Sequence, residues 1–178
     1  MKNKMKLICF LIISFTITTI IYRAFHELGH CLIAVLCGAT VTNIDIFNGS
    51  MSYVGGSFNN IRLALLHISG VILPVIMCLI FLYAKEKVGF VYNMFVVMLY
   101  FNTIISVGAL QAWVVVPLLG MYGTASADDD VIKFINVLDV HPMHVSISAI
   151  VFITVFIVVV LKRKHKPLST QLSKWMQV

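Results

Sequence analysis

The chain has 178 residues, of which 60% are hydrophobic and only 11% are charged. Soluble globular domains carry about 25% charged residues, so this composition excludes an ordinary soluble protein and indicates an integral membrane protein. The net charge of +6 comes from 13 basic and 7 acidic residues. The basic residues cluster beside apolar runs, as in cytoplasmic loops, and this placement argues against a nucleic-acid partner.

Four apolar runs are long enough to cross a lipid bilayer, because a helix spans about 30 Å of hydrocarbon with about 20 residues. They lie at about 7–36, 61–84, 88–110 and 143–161. We expect an all-α polytopic membrane protein in which residues 1–178 form a single membrane-embedded domain. The basic start of the first run could belong to a signal peptide, but no small-residue cleavage site follows it, so we predict an uncleaved helix.

The topology follows from the lysines at the start of the chain, in the Lys85–Lys87 loop and after the last run. Cytoplasmic segments of membrane proteins are enriched in lysine and arginine. We therefore expect a multi-pass protein of a bacterial plasma membrane with both termini in the cytoplasm.

The segment between the first two runs predicts a β-hairpin at about 40–57. Its sequence, "ATVTNIDIFNGSMSYVGGSF", places Asn48-Gly49 between two runs of alternating apolar and polar residues, which is the strongest short-range hairpin signal. Two interpretations remain open at this point. The hairpin is either an external loop or a small sheet held against the helices, with an edge that could bind an extended peptide.

The first run contains the motif "HELGH", formed by His26, Glu27 and His30. Residues at i and i+4 share one face of a helix, so both imidazoles can bind one ion, with the adjacent carboxylate as a general base. Ionisable residues at membrane depth are costly and usually functional. The pattern therefore predicts a Zn²⁺ site, and the alternative is a buried histidine pair that satisfies its own hydrogen bonds.

The chain resembles the site-2 protease family of intramembrane zinc metalloproteases over about residues 20 to 140. The resemblance rests on "HELGH" in a membrane helix, the hairpin segment, "LHISGVILP" at the start of the next helix and aspartates after a proline-containing break. It implies that two histidines and a downstream aspartate bind zinc, that the glutamate is the general base and that the substrate is a membrane-anchored protein or peptide. These roles map to His26, His30 and Glu27.

The third zinc ligand is expected among the aspartates near the start of a short helix predicted from Ser126. Catalytic zinc usually takes three protein ligands, and the family's Asn-x-x-Pro…Asp-Gly signature is absent here. We predict Asp128 or Asp129 and favour Asp128, because Asp129 suits a capping role; Asp130 lies deeper in the helix. Residues with lower priority are Asp45, Asp139, His67 and His141.

The expected function is that of an intramembrane zinc endopeptidase. The alternative is a non-catalytic membrane zinc protein that acts as a regulatory or immunity-type binding partner, although such a protein has no need for Glu27. A transporter is disfavoured because the four runs show no repeat symmetry. Three further histidines are interpreted as interfacial or packing residues, with a supporting role at the zinc site as the alternative. They are His67, His141 and His144.

Overall fold

The computed structural model describes residues 2–83 and 90–162. Within these residues it contains five helices and a two-stranded antiparallel sheet, and the prediction of four long apolar helices with a hairpin after the first is confirmed. The Lys85–Lys87 loop lies outside the described residues. The elements are α1 (Lys2–Leu36), β1 (Ala39–Asp45), β2 (Ser50–Gly55), α2 (Asn60–Tyr83), α3 (Phe90–Met121), α4 (Asp130–Leu138) and α5 (Pro142–Lys162).

The outer faces of α1, α2, α3 and α5 carry large apolar side chains. Ile12, Leu36, Ile104 and Leu161 are each at least 60% exposed, whereas soluble monomers rarely expose wide apolar patches. All four helices are long and apolar enough to span a membrane. This surface is compatible with a multi-pass membrane protein whose helices face hydrocarbon.

α3 is longer than the sequence indicates, because it continues through Pro117 to Met121. We expected the helix to end near residue 110 and the chain to break at this proline. Proline removes a backbone donor, but packed membrane helices tolerate it where neighbouring groups bind the weakened carbonyls. Pro117 has no N–H to bind the carbonyl of Trp113, and Ser146 on α5 donates a hydrogen bond to the neighbouring carbonyl, that of Val114, at 2.8 Å. Pro117 is also fully buried, so the helix is held by packing.

α1 and α2 cross with their backbones almost in contact. A methyl group at Gly29 of α1 would lie only 2.7 Å from the carbonyl carbon of Ser69 on α2. Because glycine has no side chain, it permits this approach. The crossing sets the face of α1 that carries the histidine motif directly against α2.

α4 is a short amphipathic helix that is anchored in the main apolar core. Val131 and Ile135 are buried, and they belong to a cluster to which α2, α3 and α5 also contribute. The ring of Phe134 meets that of Trp113 edge to face, with centroids 5.2 Å apart. This packing fixes the first residue of α4, Asp130, beside the N-terminal part of α2.

The hairpin is folded against the helices, so it has the second of the two arrangements considered above. Ala39 pairs with Gly55 and Asp45 with Ser50, with an irregularity between Val41 and Asn43. Residues of both strands then pack on a second apolar cluster, which is centred on buried residues of α1, β1 and α2. That cluster consists of Ala34, Ala39 and Leu66.

Candidate metal centre

α1 presents the motif side chains toward the interior of the protein. The Nε2 atoms of His26 and His30 lie 3.2 Å apart, as expected for residues one helical turn apart. Glu27 is 2% exposed and His30 is 5% exposed, whereas the His26 side chain is 31% exposed. The pair is therefore accessible from the side of His26 and closed around His30.

A hydrogen bond from α2 fixes the orientation of His30. Its Nδ1 lies 2.7 Å from the carbonyl oxygen of Leu66. A carbonyl can only accept, so a neutral His30 carries its proton on Nδ1 and leaves the lone pair of Nε2 free. Histidines that bind metals are commonly oriented in this way by a backbone carbonyl.

α4 supplies a carboxylate to the same point. The Oδ2 atom of Asp130 lies 3.2 Å from Nε2 of His30 and 3.7 Å from Nε2 of His26. Within the described residues, these three side chains form a group whose donor atoms all lie within 4.8 Å of one another. Donors that share a tetrahedral zinc ion at 2.0–2.2 Å are roughly 3.3–3.6 Å apart. The observed spacing therefore suits a single ion of that size.

On the α2 side of the cluster, Gly70 has no side chain, and this leaves space beside the two imidazole rings. A methyl group at Gly70 would lie 2.7 Å from the Cε1 atoms of both His26 and His30. Two imidazoles and one carboxylate form a donor set that zinc takes in catalytic sites, where a fourth position stays open. The donor set and the cradle formed by Gly70 thus fit a metal ion.

The structure brings to the histidines a different aspartate from the two that were predicted as the third ligand. Asp128 is 98% exposed at its side chain and lies 3.8 Å from the Nζ atom of Lys133. Asp129 is the N-cap of α4, where its carboxylate accepts a hydrogen bond from the backbone of Val131 at 2.8 Å. Neither approaches the histidines, and Asp130 does. Because the N-cap is Asp129, the helix starts four residues later than predicted and its first residue turns back toward α1.

A further histidine binds the other oxygen of Asp130. Nδ1 of His67, on α2, lies 3.2 Å from Oδ1 of Asp130. Burial acts to raise the pKa of Asp130, but its contacts with His26, His30 and His67 outweigh burial and hold the pKa well below its usual range. The carboxylate is therefore ionised, as a metal ligand must be. Sequence reasoning placed His67 at an interface, and only its position opposite Asp130 shows this contact.

The hairpin turn lies next to Glu27. A methyl group at Gly49 would lie 3.7 Å from Oε1 of Glu27, and the guanidinium of Arg23 donates a hydrogen bond to the carbonyl of Phe47. The turn is held by Asp45, which accepts hydrogen bonds from the backbone N–H groups of Phe47 and Asn48 at 3.0 and 2.9 Å. These bonds from Asn48 and Phe47 lower the pKa of Asp45.

The remaining candidate ligands lie elsewhere. His141 accepts a hydrogen bond from the backbone of Met143, at 3.3 Å, and His144 lines a separate apolar cavity of ≈ 370 Å³ among α2, α3, α4 and α5. Asp139 caps the far end of α4 in a left-handed conformation, with φ 51°. Asp45 serves the hairpin turn. None of these residues belongs to the metal-binding group found in the described part of the chain.

Comparison of the chain with models of protein families, with curated proteins and with solved structures gives no significant match.

Proposed function

We propose that this protein is an intramembrane zinc endopeptidase that cleaves a membrane-anchored protein or peptide. The observation that carries the proposal is the convergence of His26, His30 and Asp130 beside the buried carboxylate of Glu27. Three ligands with an open fourth position are the usual arrangement of catalytic zinc, whereas structural zinc is closed by four protein ligands. Zinc, when bound, lowers the pKa of water toward 7 and polarises a carbonyl group.

The protein residues have distinct roles in this proposal. His26, His30 and Asp130 hold the ion through Nε2, Nε2 and Oδ2. Glu27 accepts the proton of the attacking water on its carboxylate and returns it to the leaving amine. It sits one residue from His26, so it flanks the ligands without joining them. General acid–base catalysis of this kind contributes about 10²–10⁴-fold to the rate.

The class of substrate follows from where the cluster lies. Its two histidines belong to a helix apolar enough to span a membrane, and a peptide that reaches them shares that environment. The alternative interpretation, a non-catalytic zinc protein that binds a regulatory partner, gives no role to Glu27. A carboxyl group that is 2% exposed is costly to keep in the protein without a functional role.

The test uses the full-length protein in lipid vesicles with a panel of tagged single-span membrane proteins as substrates. We expect one zinc ion per chain and a fragment that mass spectrometry detects. Glu27→Gln should keep the zinc and lose about 10²–10⁴-fold in cleavage rate, while His26→Ala should lose both. Glu86→Gln, at the chain's other glutamate, is the matched control and should leave both unchanged.

Cleavage by the Glu27→Gln protein at the parent rate would show that this residue is not the base. A parent protein that carries zinc but cleaves no member of the panel at a rate that depends on Glu27 would favour the regulatory alternative.

We propose further that both termini face the cytoplasm of a bacterium and that the protein resides in its plasma membrane. The supporting observation is that lysines lie at both chain ends and in the Lys85–Lys87 loop, because cytoplasmic segments of membrane proteins are enriched in lysine and arginine. Arg23, whose charge lies within α1, is satisfied by the carbonyl of Phe47 and so does not oppose this orientation. Labelling of single cysteines from each side of the membrane, in a variant without the native cysteines, tests it. A C-terminal cysteine labelled from outside the cell would contradict it.

A further inference from the structure

The two carboxylate oxygens of Asp130 have different partners. Oδ2 faces the histidines of α1, at 3.2 Å from His30, while Oδ1 lies 3.2 Å from Nδ1 of His67. The His67 side chain is 13% exposed, so little water competes for this contact. An aspartate held in this way offers one oxygen to an ion and keeps the other engaged with protein.

Both outer contacts of the ligands come from one turn of α2. The carbonyl of Leu66 orients His30, the next residue, His67, binds Asp130, and Gly70 leaves the space that the imidazole rings occupy. α1 and α4 are far apart in the sequence. The segment from Leu66 to Gly70 therefore fixes the ligands from α1 and the ligand from α4 relative to one another.

We infer that His67 is a positioning residue for the metal centre: its Nδ1–H group donates to Oδ1 of Asp130 and directs Oδ2 toward the ion. This inference rests on the proposed metal site but not on proteolysis. Hydrogen-bond partners outside the coordination sphere fix the direction of a ligand and raise its basicity, and their loss typically costs about 10–100-fold in metal affinity.

Two other roles for His67 are distinguishable from this one. A fourth metal ligand would place a ring nitrogen near Oδ2 and the two Nε2 atoms, but His67 approaches the opposite oxygen and lies outside the group of three. A purely packing role would depend on the size of the ring and not on where its nitrogen lies. The position of the donor atom is therefore the property to vary.

Asparagine and glutamine allow that variation. The amide nitrogen of asparagine is bonded to Cγ, like Nδ1 of histidine, so His67→Asn keeps a donor at the required position. In His67→Gln the nitrogen lies one bond farther out, where Nε2 would be. Both substitutes are neutral amides that differ by a single methylene group, which makes them a matched pair, and His67→Ala removes the donor altogether.

The experiment measures binding of Co²⁺ and Zn²⁺ to the purified full-length chain in detergent, by competition with a chromophoric chelator. The visible absorption of bound Co²⁺ reports the symmetry of the coordination. Thermal unfolding, followed by circular dichroism, monitors the fold of each variant. No substrate is required, so the measurement is independent of whether the protein cleaves peptides.

We expect His67→Ala and His67→Gln to bind both metals about 10–100-fold more weakly than the parent, with an altered Co²⁺ spectrum. His67→Asn should restore the parent affinity and spectrum. Equal affinity of His67→Gln and the parent would overturn the inference, and so would His67→Asn binding as weakly as His67→Gln. A parent that binds neither metal would refute the metal site, and with it both this inference and the proposed function.

Discussion

The space that Gly70 leaves beside the two histidines can be filled with a single methyl group. In Gly70→Ala the new Cβ would lie 2.7 Å from Cε1 of His26 and of His30, where ordinary contacts begin at 3.4 Å. Each ring must then move by at least about 0.7 Å, the difference between these two distances, and His30 must move farther because its Nε2 would lie closer still to the new Cβ. His30 resists this movement because Leu66 holds its Nδ1 at 2.7 Å.

The displacement is large for a metal site, whose ligand distances are reproduced to about 0.2 Å. We therefore expect Gly70→Ala to weaken zinc binding by more than about 100-fold, a larger loss than the removal of an outer hydrogen bond causes. The fold should suffer less. Overpacking costs about 1–3 kcal/mol, and replacing a helical glycine by alanine returns about 0.5–1 kcal/mol of that.

Zinc competition and thermal unfolding of the purified protein measure the two effects separately. Gly108→Ala in α3 is the control, because a Cβ there meets nothing within 4 Å; it should bind zinc like the parent and be slightly more stable. If Gly70→Ala binds zinc with the parent affinity, the rings are not confined as described and the geometry of the site is wrong.

Three further predictions follow from the same structure. Asp130→Asn should abolish zinc binding while Asp128→Asn leaves it unchanged, as metal analysis of the purified proteins will show; the reverse result would restore Asp128 as the ligand. Gly29→Ala forces a methyl group to within 2.7 Å of backbone on α2, so it should destabilise the fold by about 1–3 kcal/mol in unfolding experiments, and unchanged stability would contradict the close crossing. Asp45→Ala should speed hydrogen exchange at the hairpin turn, whereas Asp45→Asn, which retains an acceptor oxygen, should not; equal exchange in both would show that Asp45 does not hold the turn.

The local parts of the structure were predictable from the sequence. His26 and His30 are brought together by helix periodicity. Asn48-Gly49 predicts the hairpin because its turn needs a residue with positive φ, and Gly49 has φ 66°. Each of these depends on residues a few positions apart. A capping role for Asp129 was also visible in the sequence, although we predicted it within a helix that begins at Ser126, whereas the structure makes Asp129 itself the N-cap.

The third ligand was not predictable in this way, because it depends on how distant elements pack. If Asp129 caps the helix, then Asp130 is its first residue, and its side chain is aimed by the burial of Val131 and Ile135. That burial is a property of the bundle and not of the segment. The contact of His67 with Asp130 was not predictable for the same reason: 63 positions separate the two residues, and no periodic pattern connects residues so far apart.

The first strand of the hairpin, β1, runs back along α1, the helix that precedes it. The fourteen residues from Arg23 to the end of α1 at Leu36 extend about 20 Å at 1.5 Å per residue, and the seven residues of β1 cover about 23 Å. Its turn thus returns to the level of Glu27. The outer edges of a two-stranded sheet carry N–H and C=O groups that the sheet leaves unpaired, and hydrocarbon cannot satisfy them. In a bilayer, lipid could therefore not cover this side of α1, and water or another polypeptide would have to reach the level of the histidines. Under the proposed function, the water needed for hydrolysis then requires no separate route.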